Sequence, residues 1–198
     1  MTDVAPARGR AGRPRSEACD LAIEGAVLDL LVEDGYPGVT MEGVAARAGV
    51  GKATLYRRWH AKDRLVLDAV IHRCGEHVVS PDTGSLRGDV IEHTRALVTK
   101  FRLHGPILRA FAAETARNPA LAESFRRTFL DDRRAAMREV LARGVARGEL
   151  PPDADIELLG DVGSALLWHR LAITGAPLSD DLPERIADLV VPVTVASR

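Results

Sequence analysis

The sequence predicts an all-α protein of about nine helices, with a small N-terminal three-helix domain built on a helix-turn-helix and a longer C-terminal helical bundle. Three observations predict it. Apolar residues recur at three- and four-residue spacing through most of the 198-residue chain. Helix starts and stops fall where that spacing breaks, at Gly35, Thr40, Gly49 and Asn118-Pro119. Five consecutive turn formers, Ser80-Pro81-Asp82-Thr83-Gly84, divide the chain into two halves.

Residues 1–15 combine Ala, Gly, Pro and Arg without apolar periodicity and read as a flexible basic arm. Residues 16–79 form the N-terminal domain, its fourth helix serving as connector, and residues 80–198 the C-terminal one. Ile23, Val27, Leu30 and Leu31 share one face of a first helix over about 17–34, stopped by Gly35 before Pro37. Thr40 can cap a short second helix, about 41–48, with Glu42 in the first turn where the helix dipole favours a negative charge. Ala48-Gly49-Val50 make a turn in which glycine takes positive φ at no steric cost. A third helix follows from about Gly51 to Trp59. Leu65, Leu67, Val70 and Ile71 begin a fourth that continues to about Val78.

In the second half, Val90, Ile91, Thr94, Leu97, Val98 and Phe101 form the stripe of a fifth helix. Ile107, Leu108 and Phe111 carry a sixth to near Arg117. Pro119 opens a seventh that runs through Phe125, Phe129, Met137 and Leu141 to about Ala146. Residues 156–174 are apolar on nearly every side, and a helix of that kind must be covered all round. A second subunit covers it most economically. Leu159, Val162, Gly163, Leu166 and Leu167, with Ile186, Leu189 and Val190 of the last helix, are the expected four-helix interface of a homodimer.

Composition sets bounds on function. With 46% hydrophobic and 28% charged residues the chain has globular rather than disordered character. Net charge is −1, but its distribution is uneven: Arg8, Arg10, Arg13 and Arg15 stand without an acid among them. Residues 46–64 carry Arg47, Lys52, Arg57, Arg58, Lys62 and Arg64 against Asp63 alone. A basic front on an acidic body is oriented by a polyanion. Cys19 and Cys74 lack metal-site or disulfide-framework spacing. No long apolar run or export signal is present, so the expected location is the cytoplasm, on the nucleoid when DNA is bound, and not a membrane. No Glu-x-x-His pair, GxSxG elbow, P-loop or dinucleotide fingerprint occurs, so neither an enzyme, a metal site nor a cofactor is expected.

Between Thr40 and Trp59 the spacing suits a helix-turn-helix. Ala45 is small where the next helix crosses, Gly49 makes the bend, and Val44, Val50, Leu55 and Trp59 fill the shared core. That leaves Gly51, Lys52, Thr54, Tyr56, Arg57 and Arg58 on outward faces, the chemistry of a helix that enters the major groove. The segment resembles the TetR (tetracycline-repressor-like) family: a Thr-led helix, Ala48-Gly49-Val50, Thr54-Leu55-Tyr56, an aromatic at Trp59, then Lys62-Asp63-Arg64-Leu65. Gly51 stands where the family often has Ser, and Ala53 where it often has Gly. Glycine remains an acceptable cap. Guided by the resemblance, Thr40, Tyr56 and Lys62 are expected on phosphates, and Lys52, Thr54, Arg57 and Gly51 nearest base edges. Arg10, Arg13 and Arg15 are expected to enter the adjacent minor groove.

Pro81 to Asp89, Arg147-Gly148-Glu149-Leu150 and Arg170 to Gly175 resemble a subset of the same family. The resemblance implies a helical ligand-binding and dimerisation domain, a DNA operator as partner, and a small-molecule effector whose identity the residues do not name. Phe101, His104, Leu108, Phe111, Phe125, Met137, Trp168 and His169 are the candidate pocket, although an aromatic stripe at this spacing equally serves as core. Two other readings stay open: an architectural protein that binds A·T-rich minor grooves through Gly12-Arg13-Pro14-Arg15, and a redox switch at Cys19 or Cys74.

Overall fold

The computed structural model describes residues 13–75 and 80–191, and the chain parts into two compact units between Ala69 and Val70. Among the described residues every regular element is helical.

In the first unit, α1 (Arg13–Gly38) buries Ile23, Val27 and Leu31 on one face. Gly35, at φ 69 and ψ 179, interrupts the helix one residue after the expected end, and Tyr36-Pro37-Gly38 add a last turn. At its other end the helix begins earlier than expected. Arg13, Pro14 and Arg15 belong to α1 rather than to an arm, because proline near a helix start gives up an N–H that has no partner there anyway. Arg10 lies outside the described residues, as do the side chains of Arg13 and Arg15. Next come α2 (Met41–Arg47), α3 (Lys52–Arg58) and the start of α4 (Lys62–Cys74). Val39, Val44, Leu55, Leu65 and Val66 complete the core of this unit. The expected continuation of α4 past Gly75 falls outside the described residues.

The second unit is organised on α5 (Leu86–Thr115). The expectation of separate fifth and sixth helices is corrected here: one helix runs straight through Pro106. Proline inside a helix costs about 3 kcal/mol, but the buried face continues across it from Val98 and Phe101 to Leu108 and Phe111, so splitting the helix would expose that face. Asn118 accepts from the Leu121 N–H at 3.1 Å and starts α6 (Pro119–Phe125). A π-helical turn, 126–130, joins α6 to α7 (Asp131–Ala146), so the expected seventh helix is continuous. Asp155 caps α8 (Ile156–His169), a second π turn spans 170–174 and ends at Gly175, and α9 (Leu182–Val190) closes the unit against α5. Asp89 and Arg147 join the N-terminus of α5 to the C-terminus of α7.

Candidate functional site

Thr40 Oγ1 accepts from the Gly43 N–H at 3.0 Å, so the threonine is the N-cap of α2. At the far end of α2 the Val50 N–H reaches the Ala45 carbonyl at 3.0 Å and the Gly49 N–H that of Ala46 at 3.3 Å. This paired closure needs a left-handed residue, and Gly49 supplies it at φ 65. The turn aims α3 away from α2. Gly51 caps α3 without a side chain, as expected from the sequence. Leu55 is completely buried and pins the helix down, while Lys52, Tyr56 and Arg57 face outward. Thr54 is half-buried.

Two further contacts tune that face. Glu42 Oε1 lies 3.5 Å from Lys52 Nζ and 3.4 Å from the Tyr56 hydroxyl that donates to it. Its carboxyl is held below the usual range, first by its own backbone N–H, then, against slight desolvation, by Lys52 and Tyr56. Arg58 does not stay on the outward face: it turns back and pairs with Asp20 of α1. Lys62 is anchored too. Its ammonium donates to the Tyr36 carbonyl at 3.1 Å and sits 4.3 Å from the centre of that ring, while the Tyr36 hydroxyl donates to Asp63. Trp59 is only half-buried, because its indole N–H reaches out to Asp68 at 3.0 Å, and Val50 is half-buried with it.

In the second unit α5, the first π turn, α7 and α8 line a cavity of about 290 Å³, and Cys74 lines it too. Phe101 and Trp168 meet edge to face at 5.1 Å on one side, and Phe129, Leu108 and Met137 complete an apolar wall. Arg134 pairs with Asp161 at 3.2 Å and Arg138 with Glu157, tying α7 to α8 across the rim. Arg133 lies over the Phe129 ring at 3.5 Å.

Comparison with known proteins agrees with both units. A family model described as bacterial regulatory proteins, tetR family, matches residues 25–69, and one described as tetracyclin repressor-like, C-terminal domain, matches residues 80–190. The chain belongs to the TetR family. Among its TetR-family relatives, the DNA-binding transcriptional repressor TetR of Mycobacteroides abscessus is 34% identical over 189 residues, covering 91% of this chain and 96% of that one. The HTH-type transcriptional regulator YdeS of Bacillus subtilis is 32% identical over 185 residues, covering 93% and 92%. The crystal structure of the TetR family transcription regulator SCO0332 superposes with a TM-score of 0.64 at 31% identity, covering 87% of this chain and 96% of that one. The protein is therefore a TetR-family DNA-binding transcription regulator.

Against that identity, four residues expected at a TetR-type ligand pocket line the cavity: Phe101, Leu108, Met137 and Trp168. The other four do not. Phe111 and Phe125 meet at a tilt in the core with ring centres 5.0 Å apart, Phe125 stacks on Phe129 at 4.7 Å, and Phe129 is the ring that reaches the cavity. His104 is shut out because α5 and the segment after α8 close up beside it; a Cβ on Gly105 would lie 3.0 Å from Leu171 Cδ1. His169, next to Trp168 and so about 100° round the helix, is exposed. The sequence reading missed His93, Phe129 and Arg133 on the lining. Their spacing along α5 and along the helix that runs from α6 into α7 was visible, but which side of each helix faced a void was not.

Of the residues expected between subunits, Gly163, Leu167, Ile186 and Val190 are buried within one chain, where α5, α8 and α9 pack together. Leu189 is 65% exposed, and Leu159, Val162 and Leu166 are half-exposed. Leu158 at 66% and Ile173 at 74% extend the outward apolar surface.

Proposed function

We propose that this regulator is a homodimeric repressor that holds a near-palindromic operator and is released from it by a small molecule in the cavity walled by α5, α7 and α8. The observation that carries the DNA half is the division of α3, with Leu55 wholly buried and Lys52, Tyr56 and Arg57 presented outward on a helix whose entry angle is set by the Gly49 turn. Lys52 and Arg57 are assigned to base edges, with Thr54 and Gly51 close by. Thr40, Tyr56 and Lys62 are assigned to phosphates. Arg58 is assigned instead to bracing α3 on α1.

Residues 16–79 then read DNA and residues 80–198 sense and pair. Leu158, Leu159, Val162, Leu166 and Leu189 form the subunit contact, because aliphatic side chains left exposed or half-exposed on two adjacent helices are a liability in water unless a partner covers them. A twofold partner places two copies of α3 on half-sites one turn of the duplex apart. A ligand that prefers a dimer with the wrong spacing empties the operator, and DNA must weaken that ligand by the same factor. This reading assigns the chain no catalytic step and places it on the nucleoid in the cytoplasm.

Selection from random duplexes, followed by titration of the recovered site at about 0.15 M salt, tests the reading together with the mass in solution. A dimer with a twofold-symmetric site is expected. A monomer, or equal affinity for all duplexes, would refute it.

A further inference from the structure

We infer that the cavity is built for an apolar, aromatic molecule carrying a single carboxylate, and that Arg133 receives the charge. The inference rests on the reading of this cavity as the effector site and names the chemistry of its guest. Five cationic side chains, Lys100, Arg126, Arg133, Arg134 and Arg138, line it against two carboxylates, Glu157 and Asp161. The acids are engaged by Arg134 and Arg138, and Arg126 pairs with Glu123. Arg133 differs from these. It is half-buried, forms no ion pair with a described residue, and uses two of its five N–H groups on the carbonyls of Phe129 at 2.7 Å and Cys74 at 3.2 Å.

A guanidinium in that position is poorly compensated. Burial pushes it below its ordinary value, although Cys74 and Asp132 work the other way. An anion that brings its own apolar body into the cavity would supply a countercharge that no described carboxylate gives Arg133 as an ion pair, and could accept two parallel N–H bonds, the geometry at which arginine excels. Walls made of Phe101, Phe129 and Trp168 favour a flat aromatic body, and about 290 Å³ lies at the lower edge of ligand-pocket sizes, so the guest is small.

The probes are 2-naphthoate and 2-naphthamide, which share a ring system and differ in charge, titrated calorimetrically into the full-length dimer. Naphthoate should bind at least about tenfold more tightly than the amide, the gain of one charge-assisted contact. Arg133→Gln should erase that preference by weakening naphthoate far more than the amide, and Arg133→Lys should restore part of it. Met137→Trp, which fills the cavity, should abolish both. Because Arg133 also holds the Cys74 carbonyl, its variants could fold poorly, and the wild-type comparison of the two probes then decides by itself. Equal binding of the two probes, failure of naphthoate to bind, or an undiminished preference in folded Arg133→Gln overturns the inference about charge. Amide binding that Met137→Trp removes would leave the effector cavity standing. Binding of either probe that survives Met137→Trp would remove the cavity reading itself.

Discussion

Arg147 Nη2 lies 3.0 Å from Oδ2 of Asp89, a carboxylate with no exposed surface, and this pair locks the start of α5 to the end of α7. The other oxygen of Asp89 accepts from the Thr83 N–H at 2.6 Å and the Thr83 hydroxyl at 2.7 Å. Glu149 accepts from the Leu86 N–H at 2.7 Å, satisfying a donor that the first turn of a helix leaves open. Gly88 has to be glycine here, since a Cβ would lie 2.3 Å from Thr83 Oγ1. The Thr83 to Asp89 motif is thus a structural corner, remote in purpose from ligand or DNA.

Asp89→Asn should lower stability by about 1–3 kcal/mol, the cost of leaving buried hydrogen-bonding groups unsatisfied. Burial alone would raise this pKa, but the Thr83 N–H, its hydroxyl and Arg147 outweigh that and hold it below the usual value. The stabilisation is complete above the ordinary carboxylate range and is lost as pH falls through the depressed folded-state pKa. Melting curves of wild type and variant should therefore converge in acid. A gap that persists unchanged to the most acidic condition would show that the charge of Asp89 is not what matters.

Gly144→Ala should destabilise despite alanine's better helix propensity, which on an open helix would gain about 1 kcal/mol. The added Cβ would sit 2.8–3.1 Å from three atoms of Leu86, itself completely buried against α7. Overpacking of this kind costs about 1–3 kcal/mol. Equilibrium unfolding in urea measures the balance, and a net gain would mean that Leu86 can move aside.

Three neighbouring substitutions on α3 separate reading from bracing. Tyr56→Ala should weaken all duplexes about equally, whereas Arg57→Ala should lose about 1–3 kcal/mol on the operator and relax one base position. Arg58→Ala should leave base preference intact and lower stability by no more than about 1 kcal/mol, because its pair with Asp20 is partly exposed. Anisotropy titrations on single-base operator variants distinguish these outcomes; altered base preference in the Arg58 variant would return that side chain to the groove.

Glu42→Gln should raise affinity for every duplex by up to about fivefold. Its carboxylate engages both Lys52 and Tyr56 on the side offered to DNA, so neutralising it loosens two contacts and removes a repulsion. The steepness of log affinity against log salt is the second readout: Lys62→Ala, at a phosphate, should reduce that slope by about 1. Unchanged binding by the glutamine variant would place Glu42 clear of the DNA.

The helix-turn-helix was legible because its constraints are local. Thr40 as a cap, Gly49 at positive φ, Gly51 at the start of α3 and Leu55 beneath it each follow from neighbours within a few residues, and the family resemblance is carried by those same positions. Helix spans followed from apolar spacing in the same way, apart from the start of α1 and the middle of α5. The fifth and sixth helices were expected as two and residues 13–15 as part of an arm, yet burial of the α5 face and the tolerance of a first helical turn for Pro14 overruled both.

Periodicity along the chain thus determined which residues share a helical face, and local chemistry determined where helices begin and turn. Tertiary structure alone decided what each face meets. Phe111 and Phe125 went to the core while Phe129, one step along the same aromatic cluster, reached the cavity. Arg57 stayed outward while Arg58 found Asp20, and Arg133 was left over the Phe129 ring with no carboxylate paired to it among the described residues. A side chain's partner lies tens of residues away in the chain, and spacing along one helix carries no information about the rotation of the next.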